Sequence, residues 1–195
     1  MTAGEEALRG AGIGGGDERL DVSLELARLA RLVRGRPARS IGLAPAGDDV
    51  AVPAIALGLG RAIAGLCGRP VAVVDAHGSW PCARALIDLA GAPDGSPLAT
   101  CPIHDELAVL TPRAAGGPAR LVPLRGLLAA DPGAFEHLVV DLTGLDHLGE
   151  RAAAAGLLDA TALVARSGRT TTRQIERALR DIPDGRGLGV LLAGL

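Results

Sequence analysis

The sequence predicts a doubly wound α/β domain, a mainly parallel sheet with helices on both faces. Three observations carry that expectation. Short apolar runs at Ile41–Ala44, Val71–Val74 and Leu138–Val140 have the length and branching of buried parallel strands, and the last two end in Asp75 and Asp141. Helical segments with 3.6-residue periodicity alternate with those runs. The chain is 195 residues long, 48% hydrophobic and 22% charged, which suits one soluble domain with its own core.

Residues 1–19 are glycine-rich around Gly14-Gly15-Gly16 and are expected to be a flexible tail, leaving 20–195 as the single folded domain. Leu20–Arg34 is a strong helix, with Leu20, Leu24, Ala27 and Val33 on one stripe and Leu26, Leu29 and Leu32 widening it. It carries Glu25, Arg28 and Arg31 at i, i+3, i+6, three charges on one helical face. Taken by itself that pattern suits a solvated face with an intrahelical ion pair worth about 0.3–0.5 kcal/mol.

After an Arg-rich linker, Ile41–Ala44 leads into a small, acidic loop, Pro45–Val50, containing Gly47, Asp48 and Asp49, and then a helix opening near Pro53. This is the layout of a phosphate-binding strand–loop–helix. The chemistry of one is missing. A working loop of this kind has a lysine that reaches the β- and γ-phosphates and a Ser or Thr that holds Mg²⁺, and this sequence contains no lysine. Asp48 and Asp49 would repel a polyphosphate, and Pro53 removes an amide that a helix terminus would offer an anion.

Downstream, Cys82–Ala90 reads as a helix, Leu107–Arg113 as a short strand and Leu121–Ala130 as a helix. Phe135–Gly144 supplies the strand that ends in Asp141, whose structural role would be to cap a loop or to accept backbone amides. Ala162–Ala165 is a buried strand. Thr170 or Thr171 caps the next helix, and Ile175, Ala178, Leu179 and Ile182 form its packed face. Gly187–Leu195 is the last strand. Arg166, Arg169 and Arg173 form a possible small anion site. Two further pairs have metal-ligand chemistry, Asp75 with His77 and Cys101 with His104, but each lacks the third and fourth ligands of a zinc site, so no metal is expected.

Laid without gaps on their pattern, these segments resemble the bacterial tyrosine kinases and their polysaccharide co-polymerase relatives, a branch of the MinD/ParA-like P-loop ATPases. The resemblance spans roughly residues 20–195. It places the loop glycine at Ala51, the phosphate-binding lysine at Val52 and the Mg²⁺-binding hydroxyl at Pro53. It places the two acids after the second strand at Asp75 and His77, the Walker B acid at Asp141, and the base-reading asparagine at Ala193. Pro81 matches a family proline, whereas Leu142-Thr143-Gly144 departs from the family's Thr-Pro-Pro turn. The Glu25/Arg28/Arg31 pattern matches one that mediates ring contacts in those kinases, which implies self-association through that helix.

Because drift would most easily exchange lysine for arginine, and all 20 basic residues are Arg, an uncharged Val52 reads as loss of the phosphate-binding charge. The expectation is a non-enzyme: a catalytically inactive adaptor or scaffold with no cofactor, which the resemblance links to exopolysaccharide synthesis or export beside a membrane-anchored co-polymerase. One alternative is an atypical ATPase that holds Mg²⁺ on Asp75 and Asp141, binds ATP or ADP and recruits Arg39, Arg61 or a partner's cation. Another is a MinD/ParA-like positioning factor, which no terminal amphipathic helix or polybasic patch supports. With no tyrosine in the sequence, tyrosine autophosphorylation is not expected. A net charge of −2 gives no basic field for nucleic acid. Three irregularly spaced cysteines fit a reducing compartment. The start MTAGEEALRG has no secretion signal and no apolar run approaches about 20 residues, so a cytoplasmic protein is expected, peripheral to the inner membrane only through a partner.

Overall fold

The backbone alternates helix and strand as the periodicities predict. The computed structural model describes residues 2–13, 20–47, 50–91, 96–113, 121–129, 134–145 and 149–194. In chain order these form α1 (Ala3–Gly10), α2 (Leu20–Arg34), β1 (Ser40–Pro45), α3 (Val52–Cys67), β2 (Val71–Asp75), α4 (Ala83–Leu89) and β3 (Leu98–His104). There follow β4 (Leu107–Pro112), α5 (Leu121–Ala129), β5 (His137–Asp141), α6 (Glu150–Leu157), β6 (Ala160–Arg166), α7 (Thr172–Leu179) and β7 (Gly187–Ala193). One seven-stranded sheet has the order β3-β4-β2-β5-β1-β6-β7, and every neighbouring pair is parallel except β3 with β4.

Alternate residues of each central strand feed two separate cores. Ile41, Leu43, Val71, Val73 and Val139 point to the face covered by α1 to α4. Ala72, Val74, Leu138, Val140 and Leu163 point to the face covered by α5, α6 and α7. Burial on both faces explains why the strands read as continuous apolar runs. With a single Trp and a single Phe in the chain, the core is filled by aliphatic side chains and by close backbone approach. A Cβ on Gly60 of α3 would lie 2.6 Å from Val73 Cγ2, and one on Gly58 would lie 2.7 Å from Leu26 Cδ1. Small residues in α3 therefore let it sit tightly between β2 and α2.

The structure corrects four expectations. Part of the expected tail is folded: α1 has a full capping box at Thr2 and Glu5, Leu8 and Ile13 are buried in the core, and the Thr2 hydroxyl donates to the Ile103 carbonyl at 2.7 Å. A helix this short is stable only because tertiary burial supports it. In α2 the buried stripe is Leu26, Leu29, Ala30 and Val33, while Leu24 and Leu32 are exposed, because the helix rests on α3 along a single seam. Leu179 of α7 is likewise exposed, although Ala178 is buried and Ile175 and Ile182 pack against the core. Finally Leu98–His104, read for its cysteine and histidine, is a strand that makes a hairpin with β4.

Candidate functional site

In an open α/β sheet, ligands bind outside the carboxyl ends of the strands, where successive connections leave toward opposite faces. Here that point is the junction of β1 and β5. The β1 connection runs to α3 on one face, and the β5 connection runs to α6 on the other. Gly47, Val50, Thr143, Gly144, Arg151 and Arg177 line an open cleft of about 400 Å³ there.

Two amides of the β1–α3 connection make internal bonds. The Ala46 N–H donates to the Val164 carbonyl at 2.8 Å, which ties the start of the loop to β6. The Val52 N–H donates back to the Val50 carbonyl at 3.0 Å, and Pro53 has no N–H to give. Ala51 precedes the helix without any side-chain cap. The Val52 side chain is fully buried in the core with Ile55, Ala56 and Leu59. Asp48 and Asp49 lie outside the described residues.

The two strand-end acids are register partners across β2 and β5. Both are 1% exposed, and each is occupied. Asp75 Oδ1 accepts the amides of Gly78 and Ser79 at 2.8 and 3.1 Å, and its Oδ2 accepts the Trp80 amide at 3.0 Å and the Thr111 hydroxyl at 3.4 Å. Asp141 Oδ1 accepts the Thr143 amide at 2.8 Å, and its Oδ2 accepts the Trp80 indole N–H at 2.8 Å. Trp80 is thus held by one acid through its backbone and by the other through its ring, and only 3% of it is exposed. Together they latch the 76–80 turn onto the end of the sheet.

His77 packs its ring against Gly144, where a Cβ would lie 2.9 Å from His77 Nδ1 and where φ is +82°. Glycine is required there both for room and for backbone conformation. Both His77 ring nitrogens are buried without a hydrogen-bond partner among the described residues.

Burial raises the pKa of Asp141 to about 6, against the bonds from Thr143 and Trp80, which lower it; the nearby Asp75 charge adds to the rise. Burial also raises the pKa of Asp75, against the amides of residues 77–80. A carboxyl whose folded pKa lies above its unfolded value of 3.8 stabilises the fold when protonated. That contribution is fully present below pH about 4 and is lost as the pH rises through about 6. Because Trp80 is the chain's only tryptophan and there is no tyrosine, the fluorescence reports the surroundings of this one side chain. The emission should titrate with a midpoint near 6, and Asp141→Asn should abolish the transition.

Of the residues singled out in the sequence, the fold brings Gly47, Asp75, His77 and Asp141 to one edge. Ala193 ends β7, beyond β1 and β6 from β5. Glu25, Arg28 and Arg31 lie on α2, where Arg28 and Glu25 form an exposed ion pair and Arg31 is exposed. The cations expected as substitutes are elsewhere. Arg39 precedes β1 at the opposite end of the strand and bonds to the Phe135 carbonyl at 3.4 Å, while Arg61 is in the second half of α3.

Arginines that do reach the edge are Arg151, whose fork donates to Asp181 at 2.7 and 2.8 Å and to the Pro45 carbonyl at 3.3 Å, and the exposed Arg177. The three expected anion-site arginines are not gathered: Arg173 lines a depression with Arg177 of its own helix and Arg180 just beyond it, without Arg166 or Arg169. Cys101 is buried and His104 is exposed, three residues apart on β3, so they do not form a ligand pair. Among the described residues no three His, Cys, Asp or Glu side chains converge as a metal site. Sequence reasoning missed Trp80, although a lone tryptophan five residues beyond a strand-end acid was the available signal.

Solved structures share this architecture. Its fold is that of bacterial tyrosine kinase domains. The VpsO kinase domain superposes with a TM-score of 0.64 at 17% identity, covering 89% of this chain and 96% of that one. The kinase domain of the Escherichia coli tyrosine kinase ETK gives 0.62 at 17% identity, covering 87% and 75%. The BceF tyrosine kinase domain gives 0.63 at 16% identity, covering 88% and 74%. No family model and no curated protein matches the sequence.

Proposed function

We propose that this chain is a catalytically inactive, kinase-like adaptor or scaffold that acts by contact with other proteins in exopolysaccharide synthesis or export. The observation that carries this reading is the fate of Val52, at the position where the resemblance calls for the phosphate-binding lysine. Its side chain is wholly inside the core and its amide is spent on Val50. The residues present do not fit Mg-ATP. Pro53 has neither a hydroxyl for the metal nor an amide for a phosphate, and the oxygens of Asp75 and Asp141 already accept bonds from the 76–80 turn, Thr111 and Thr143.

The ATPase alternative would have to break those bonds to free a metal ligand, and neither Arg39 nor Arg61 is placed to replace the missing charge. The positioning-factor alternative gains no support from α1. This helix is amphipathic, contrary to expectation, but its apolar Leu8 is buried against the domain and its first turn carries Glu5 and Glu6. Among the described residues no helix is long and apolar enough to cross a membrane, so the membrane link in this proposal is a membrane-anchored co-polymerase.

Assembly is proposed to run through Glu25, Arg28 and Arg31 of α2, whose charges are exposed. Light scattering should give the wild type a mass above that of one chain, and an Arg28→Ala/Arg31→Ala variant should fall to a smaller species. An unchanged mass would remove this element. Affinity purification should recover a membrane-anchored co-polymerase together with the wild type, and recovery of none would remove the pathway assignment.

A further inference from the structure

A thiol and an imidazole meet at the end of the sheet opposite the cleft. Strands β2 and β5 begin there, with Val71 and His137 as register partners. Helix α3 ends there at Cys67, and Gly68, in the left-handed region at φ +59°, turns the chain from the helix toward β2. The Glu136 N–H donates to the Pro70 carbonyl at 2.8 Å, and Arg69 and Glu136 form an exposed ion pair at 3.7 Å. These contacts hold the end of α3 against the start of β5 and set Cys67 Sγ 4.0 Å from His137 Nε2.

The chain's three cysteines are all free, but they are not equivalent. Cys82 and Cys101 are buried in the core, and burial pushes both thiols up, that of Cys82 to about 11. Buried thiols of this kind are inert. Cys67 is partly exposed and has a base beside it. The ring of His137 is held to no other task, since its Nδ1 is buried without a hydrogen-bond partner among the described residues. A nucleophile next to a base is the arrangement that activates a thiol, and such pairs are often looser than their working distance before a reactant arrives.

We propose that Cys67 is a site of reversible thiol modification that exchanges with small disulfides, with His137 as its base. The Cys67 proton passes to His137 Nε2, and the sulfur attacks one sulfur of the disulfide. The S–S bond of the disulfide breaks, a new one forms to Cys67, and the displaced half leaves as a thiolate that takes the proton from His137. Cys67 is thereby oxidised and the departing half reduced, and a second small thiol reverses the exchange. The half-buried position selects the reactant. A slender disulfide reaches Sγ, whereas a second folded chain, whose own Cys67 is equally recessed, would have to bring the two Cα atoms within about 7 Å. This site shares no residue with the strand-end acids or with α2, so it stands or falls apart from the adaptor reading.

The test incubates the full chain at pH 7 with oxidised glutathione, quenches with acid and maps the modified peptides by mass spectrometry. Cys67 should acquire the mixed disulfide at least about tenfold faster than Cys82 or Cys101, and dithiothreitol should remove it. Cys67 should also react faster in the folded chain than in the chain unfolded in urea, a comparison that needs no variant, because partial burial without a base would slow it. His137→Gln should slow the reaction of the folded chain at least about tenfold at pH 7 and by much less at pH 9.5, where hydroxide takes the proton instead. Slower reaction of Cys67 in the folded than in the unfolded chain would overturn the proposal. So would a rate at pH 7 that His137→Gln leaves unchanged, or a Cys67-linked dimer as the main product.

Discussion

Replacing Trp80 with alanine is expected to lower the free energy of unfolding by about 3–5 kcal/mol, measured by urea denaturation followed by far-UV circular dichroism. Two losses combine. The largest side chain near the site is buried and leaves a cavity behind it, and the Asp141 oxygen that accepted the indole N–H is left inside the protein without that donor. Trp80→Phe separates the two, since it keeps most of the volume and removes only the donor. It should cost about 1–3 kcal/mol. If the alanine variant lost less than about 1 kcal/mol, the 76–80 turn would not be the latch described here.

Val52→Lys introduces a lysine at the position where the resemblance calls for one, and it is expected to cripple the fold rather than create a phosphate site. The Val52 side chain points into the core, so an ammonium there would be desolvated and its pKa driven down toward the 5–6 range seen for buried lysines. At pH 7 such a lysine sits neutral in the folded state and charged in the unfolded state, a difference worth about 4–5 kcal/mol. The sign is fixed by linkage: a depressed lysine pKa makes the variant least stable at low pH and returns stability as the pH rises toward 10. Denaturation curves at pH 6, 7.5 and 9 would show that trend. A stable variant with pH-independent stability would mean that position 52 faces solvent or a ligand.

The strands and their order of hydrophobic runs were readable because residues buried on both faces leave an unbroken apolar signature. The strand-end acids were readable for the same reason, since a carboxylate closing such a run is conspicuous. That Asp141 accepts a backbone amide was readable, but the other partners were not: they are the amides of residues 78–80, which every sequence supplies, the Thr111 hydroxyl, and the indole of Trp80. The β3 strand was hidden because three of its seven residues are exposed and one of those is proline, so its pattern looked like a ligand motif rather than an edge. The helix α1 was hidden by glycine-rich surroundings, although Thr2 and Glu5 spell a capping box. The seam of α2 was misjudged because leucine occurs on most of its circumference, and only contact with α3 decides which leucines are buried.

The loop and the acids converge on a single physical point. The Val52 side chain is turned into the core, and Asp75 and Asp141 accept hydrogen bonds from the chain itself; the proposed function rests on these two facts. Calorimetric titration of the purified full chain with Mg-ATP tests this most directly. The expected result is no saturable heat at any concentration up to millimolar nucleotide. Stoichiometric binding with micromolar affinity would contradict it.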